Sequence, residues 1–147
     1  MIYTLRLTSV LLVALALIPA GAHLFAMINK FHLDRAEYLI SQRAYDGWSL
    51  FSIVIIAALV STLALSIWLN RSGEPHWLAA TAFLCIAATQ VIFWLFTFPA
   101  NKATQNWTVL PEAWQTLRYQ WEYSHAASAI LNFVALFVLL LSVVRTD

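Results

Sequence analysis

Apolar residues gather into four runs along the chain, at about 5–27, 47–69, 77–98 and 125–144. Each is close to the ~20 residues an α-helix needs to cross a ~30 Å hydrocarbon core. The connections between them are unequal. The second is a short polar turn over residues 70–76 with Gly73 and Pro75 as helix breakers. The first, residues 28–46, is long and amphipathic. Within it, Asp34 followed three residues later by Glu37 has the pattern of a capping box, and Leu39, Ile40 and Tyr45 give an apolar side suited to the membrane interface. The third, residues 99–111, holds Asn101, Lys102, Gln105, Asn106 and Trp107, and Pro111 suits the first turn of a following helix.

Read without a break from Glu112 to Val144, the last helix has 33 residues, about 50 Å at 1.5 Å per residue. Its first twelve or so residues therefore project past the hydrocarbon, with His125 near the membrane edge. The pattern predicts an all-α integral membrane four-helix bundle over residues 1–147 as one domain. Its first loop is long and its fourth helix extends beyond the bilayer. Arg6, the apolar run behind it and Ala20-Gly21-Ala22 also have marks of a secretory leader, but the run is longer than a leader's core and reads as a span.

Composition agrees. The 147 residues are 62% hydrophobic and only 10% charged, with mean hydropathy +0.76. A soluble domain carries about 25% charged residues, so this chain lacks the polar surface to face water on all sides. A net charge of +1 gives no footing for nucleic acid. The one cysteine, Cys85, rules out an internal disulfide and reads as a small core residue. Four spans put loops one and three on one side. Five basic residues, Lys30, Arg35, Arg43, Lys102 and Arg118, lie there, against Arg6, Arg71 and Arg145 on the other. The positive-inside rule then leans toward cytoplasmic large loops.

The same topology brings sequence-distant polar residues to one end of the bundle. On the fourth helix, Trp114, Arg118, Trp121, His125, Ser128 and Asn132 are spaced 4, 3, 4, 3 and 4 apart, which is one helical face. Glu122, four after Arg118, is placed to hold its guanidinium. On the third, Gln90, Trp94, Thr97 and Asn101 repeat the pattern. His23 ends the first span at the depth of His125, and Trp48 begins the second. An ionisable group at a membrane edge is a functional-site candidate by default. In that role His125 or His23 is a general base, Arg118 holds an anion, and Trp48, Gln90, Trp94, Asn101, Trp114, Trp121 and Glu122 line a substrate pocket. The bland alternative is an aromatic belt with snorkelling arginine and polar residues that pack helices. Asn29 and Lys30, just past the first span, read as interfacial, with closure of the pocket mouth as the alternative. Motifs for zinc hydrolysis, serine chemistry, nucleotide hydrolysis and thiol exchange are missing from the sequence.

Pro99-Ala-Asn101, Trp114, Leu117-Arg118 and Trp121-Glu-Tyr-Ser-His125 resemble the small four-span membrane proteins related to anthrone oxygenases. The likeness covers roughly residues 99–130. In place of a basic residue one turn after the histidine, this chain has Ala126, Ala127 and Ser128. The resemblance implies oxidation by O₂ of a flat phenolic or polycyclic substrate without a tightly bound metal, with Asn101, Trp114, Arg118, Trp121 and His125 at the site. Two other functions stay open on the residues alone. One is an electron carrier in which His23 and His125 ligate a haem, or hold a quinone with Gln90. The other is a non-catalytic subunit of a membrane complex or homo-oligomer, docked through loop one and the projecting helix.

Overall fold

The computed structural model describes residues 2–144; Arg145, one of the charges counted for orientation, lies outside them. The chain is helical almost throughout: α1 (Ile2–Phe31), α2 (Arg35–Gln42), two 3₁₀ turns (Arg43–Tyr45 and Trp48–Leu50), α3 (Phe51–Arg71), α4 (Trp77–Ile92), a π-turn (Phe93–Thr97), α5 (Phe98–Ala103) and α6 (Trp114–Val144). Four stretches are long and apolar enough to cross a membrane, Ile2–Phe31, Trp48–Arg71, Trp77–Ala103 and Trp114–Val144. The protein is an integral, multi-pass membrane helical bundle. Its outer surface shows why: Leu7, Leu11, Leu15, Ile18 and Phe25 form an exposed ridge along α1, the face a helix gives to lipid rather than to water.

The spans pack in a ring, α1 against α6 and α3, and α4 against α6 and α3. In the half of the bundle near the termini the core is made of Val13, Ala58, Leu65, Leu69, Ala79, Ala82, Ile86, Ala135 and Leu139. Alanine dominates it because small residues let helices approach closely where lipid supplies no hydrophobic drive. Two threonine hydroxyls inside the bundle are bonded within their own helices, Thr62 to the Ala58 carbonyl at 2.7 Å and Thr89 to that of Ile86 at 2.7 Å. The α3–α4 turn uses Gly73 at φ 73°, and Glu74 donates its N–H to the Leu69 carbonyl at 2.9 Å. The Glu74 carboxylate then meets the buried guanidinium of Arg6 at 2.8 Å, so Arg6 is a paired structural charge.

Three local expectations are revised. The last helix starts at Trp114, with Pro111 to Ala113 in a turn whose first carbonyl accepts from Trp114 N–H at 3.1 Å. The first helix runs to Phe31, so Lys30 lies within it. The third span is interrupted by the π-turn just before Pro99, a residue with no N–H for the regular helical ladder. The capping box at Asp34 forms as the sequence predicts: its Oδ1 accepts from Ala36 and Glu37 N–H at 2.8 and 2.9 Å, and Glu37 accepts from Asp34 N–H at 3.0 Å.

A buried polar cage at the loop end of the bundle

At the loop end the core changes character. Tyr38, Ala100, Trp107 and Trp121 are buried together, with Leu33, Tyr45, Leu110, Trp114 and Leu117 packed around them. The capping box aims α2 back across the bundle, which drops Tyr38 into this layer. Three consecutive residues with positive φ, Gln105, Asn106 and Trp107 at 50°, 56° and 61°, turn the third loop so that the Trp107 indole faces inward. Such backbone costs of order 1–3 kcal/mol per residue and persists only where surroundings fix it. Here Asn101 does so: its Oδ1 accepts from Trp107 Nε1 at 3.2 Å and from Trp121 Nε1 at 2.8 Å.

Beneath this layer the two histidines meet. The rings of His23 and His125 stack with centroids 4.1 Å apart and planes 25° apart. Trp121 packs edge-on against both, at 4.8 Å from His23 and 4.2 Å from His125. Tyr45 and Trp48, carried by the two 3₁₀ turns, close over His23 at 4.2 and 5.5 Å. Gly47 between them takes φ 82°, a left-handed conformation open to glycine at no steric penalty. His23 is buried, and its Nδ1 makes no hydrogen bond among the described residues.

An ion pair adjoins the histidines. Lys30 Nζ lies 2.7 Å from Glu122 Oε1 with both side chains almost fully buried. The Tyr38 hydroxyl donates to the same Oε1 at 3.0 Å. Burial, and then the Glu122 carboxylate, push the Tyr38 phenol well above its usual range, so it stays a neutral donor. Tyr45 is shifted upward by the same two causes in the same order. Lys30 Nζ also stands over the rings of Tyr45 and Trp121, at 4.8 and 4.9 Å, where ring quadrupoles favour a cation.

Set against the residues named from sequence, the structure gathers His23, His125, Trp48, Trp121 and Glu122, with Asn101 as the anchor of Trp121. Arg118 belongs elsewhere. Its Nη1 donates to the Lys30 and Leu33 carbonyls at 3.3 and 3.0 Å, and its guanidinium lies over Trp114 at 4.8 Å and Tyr38 at 5.4 Å. It caps the C-terminus of α1, where orphan carbonyls and the helix dipole welcome a cation. Trp114 is thus its stacking partner. Glu122 pairs with Lys30 rather than with Arg118.

Trp94 lies outside the cluster, 61% exposed and packed on Phe93 and Phe98. The π-turn inserts an extra residue there, so the even 4, 3, 4 spacing no longer describes one face. Thr97 still points inward, 2.8 Å from Ser124, and Gln90 bonds the Thr89 hydroxyl at 3.0 Å. Ser128 and Asn132 bond carbonyls one turn back on α6, at 2.9 and 3.0 Å. Tyr38 and Tyr45 are the participants that sequence reasoning missed, and Lys30 is one it read as interfacial before pocket-closing. The spacing of seven between His23 and Lys30, two turns of one helix face, was the available signal for Lys30.

The described residues hold no group of three or more His, Cys, Asp or Glu arranged to bind a metal ion. A haem held between His23 and His125 does not fit the pair as placed. Axial ligation needs two ring nitrogens aimed at one atom from opposite sides, whereas these rings present faces to each other. A groove of about 440 Å³ opens on the outer side of α6, lined by Ile92, Phe96, Tyr119, Gln120 and Tyr123 among others, and neither histidine lines it. Comparison with models of protein families, with curated proteins and with solved structures finds no match to this chain.

Proposed function

We propose that this protein is a membrane-embedded, oxygenase-like enzyme that acts on a hydrophobic, planar phenolic or polycyclic substrate at the His23–His125 cage. The observation that carries the reading is the stacked imidazole pair, His23 buried with an unpartnered ring nitrogen and His125 half-buried, walled by Trp121, Tyr45 and Trp48. Two positive charges about 4 Å apart repel by about 4 kcal/mol at an effective dielectric of 20. The pair therefore works with at least one ring neutral, the form in which a ring nitrogen accepts a proton. The indole and phenol faces suit a flat ring system that enters from the lipid when the Arg43–Leu50 segment, with Tyr45 and Trp48, swings aside.

In an anthrone-type substrate, one imidazole removes a proton from the acidic methylene carbon. The carbanion gives its electron pair to O₂ as a carbon–oxygen bond forms, and protonation yields a hydroperoxide. The remaining C–H proton then leaves as the O–O bond breaks, releasing water and a carbonyl. One O₂ is consumed per substrate, and histidine returns the proton it took. The large loops face the cytoplasm in this reading. With Lys30 and Arg118 buried and Arg6 paired, exposed Arg35, Arg43 and Lys102 oppose exposed Arg71, which keeps the positive-inside bias.

The test is oxygen uptake by the purified protein in liposomes supplied with anthrone. Wild type is expected to consume one O₂ per anthrone. His125→Ala, with its circular dichroism unchanged, should lose ~10²-fold or more of the rate, the range of a general base. Uptake no faster than in empty liposomes, or equal in the variant, would overturn the reading.

A further inference from the structure

We propose that Lys30 and Glu122, beside His23, recognise a hydroxyl group on a flat aromatic ligand. The inference rests on the acid–base reading of the histidine pair and names the groups that hold its substrate. Three buried polar atoms carry it. Glu122 Oε2 and His23 Nδ1 make no hydrogen bond among the described residues, and Lys30 Nζ meets Glu122 Oε1 with two N–H groups to spare, although a buried polar atom is normally satisfied.

At 2.7 Å Lys30 gives one of its three N–H groups to Glu122 Oε1, which leaves two N–H groups for a further acceptor. Tyr38 donates to Glu122 Oε1, which leaves Oε2 as an unused acceptor. Lys30 Nζ stands over Tyr45 and Trp121, the same two rings that wall His23. An unused donor and an unused acceptor thus adjoin aromatic faces shared with the proposed base.

A hydroxyl satisfies both at once, its oxygen accepting from Lys30 and its hydrogen going to Glu122 Oε2. A ketone would leave Oε2 unpaired, and a carboxylate would be repelled by it. Arg118, the other buried cation nearby, gives its Nη1 to the carbonyls that end α1; its Nε has no partner among the described residues, but the rings it lies over, Phe31, Tyr38, Trp114 and Tyr119, are not those that wall His23. The flat apolar walls select an aromatic ring as the carrier of that hydroxyl.

The experiment uses the full chain in lipid nanodiscs, titrated calorimetrically with 2-naphthol and with 2-methylnaphthalene, empty nanodiscs being subtracted. Wild type should bind 2-naphthol at least tenfold more tightly. The double variant Lys30→Met/Glu122→Met removes both charges together, so neither is stranded, and should bind the two probes alike. A second reading needs no variant: with ¹³C-labelled glutamate, 2-naphthol should shift a carboxylate infrared band that 2-methylnaphthalene leaves unmoved. No preference in wild type, meaning that the polar atoms hold water only, would overturn the proposal. So would a preference that survives in the double variant, or an unshifted carboxylate band. Because 2-naphthol binding is read without turnover, failure of anthrone oxidation leaves this result standing. Loss of hydroxyl preference with anthrone oxidation intact removes Lys30 and Glu122 alone.

Discussion

Glu122 is 1% exposed and held between Lys30 and Tyr38. Removing one member of a buried pair strands the other charge, at a cost of about 3–5 kcal/mol. Lys30→Met is therefore expected to lower stability by about that much in chemical denaturation, and the double Met variant by clearly less; equal losses would show that the two charges are not coupled. Asn101 makes a similar case with neutral groups. Asn101→Ala leaves two indole N–H groups without their acceptor, each costing about 1–3 kcal/mol, and tryptophan fluorescence should shift as Trp107 and Trp121 loosen. Tyr38 sets the alkaline limit. Its folded-state pKa is raised, so its contribution is complete below the ordinary phenol value near 10 and declines as pH rises beyond it. Stability should fall more steeply above pH 10 in wild type than in Tyr38→Phe, and matching slopes would remove Tyr38 from the network.

At the scale of elements, legibility in the sequence follows regularity. Long apolar runs with no proline but Pro19 define the spans, and the Asp34–Glu37 spacing defines the start of α2, because each signal is local. Of the α6 stripe, Arg118, Trp121 and Asn132 are buried while Trp114, His125 and Ser128 are half-buried. On the third span the same arithmetic fails at Trp94, since a π-turn changes the residue count per turn and leaves no mark in a spacing rule. Loop one hides more. Nothing local to Tyr38 or Tyr45 states that they fold onto Glu122 and His23; that depends on α2 turning back over the bundle. Arg118 ties this turn down through the Leu33 carbonyl. Arg118→Ala should expose residues 31–35 to limited proteolysis while α3 and α4 stay protected, and unchanged cleavage would contradict its role as the cap of α1.

For the whole molecule, the division of labour runs along the bundle axis. One half is an alanine-rich apolar core and the other a layer of aromatic and ionisable groups, on which sequence-distant residues converge. That convergence is the central claim, and it is measurable without knowing the substrate. Four histidines occur in the chain, and His32 and His76 are exposed while His23 and His125 touch. Solid-state NMR of protein labelled with ¹³C and ¹⁵N at histidine, in lipid bilayers, should show a ring-to-ring cross-peak between two of the four imidazoles, at 4.1 Å between centroids, that vanishes in His125→Asn. A spectrum with four isolated imidazoles would contradict the account.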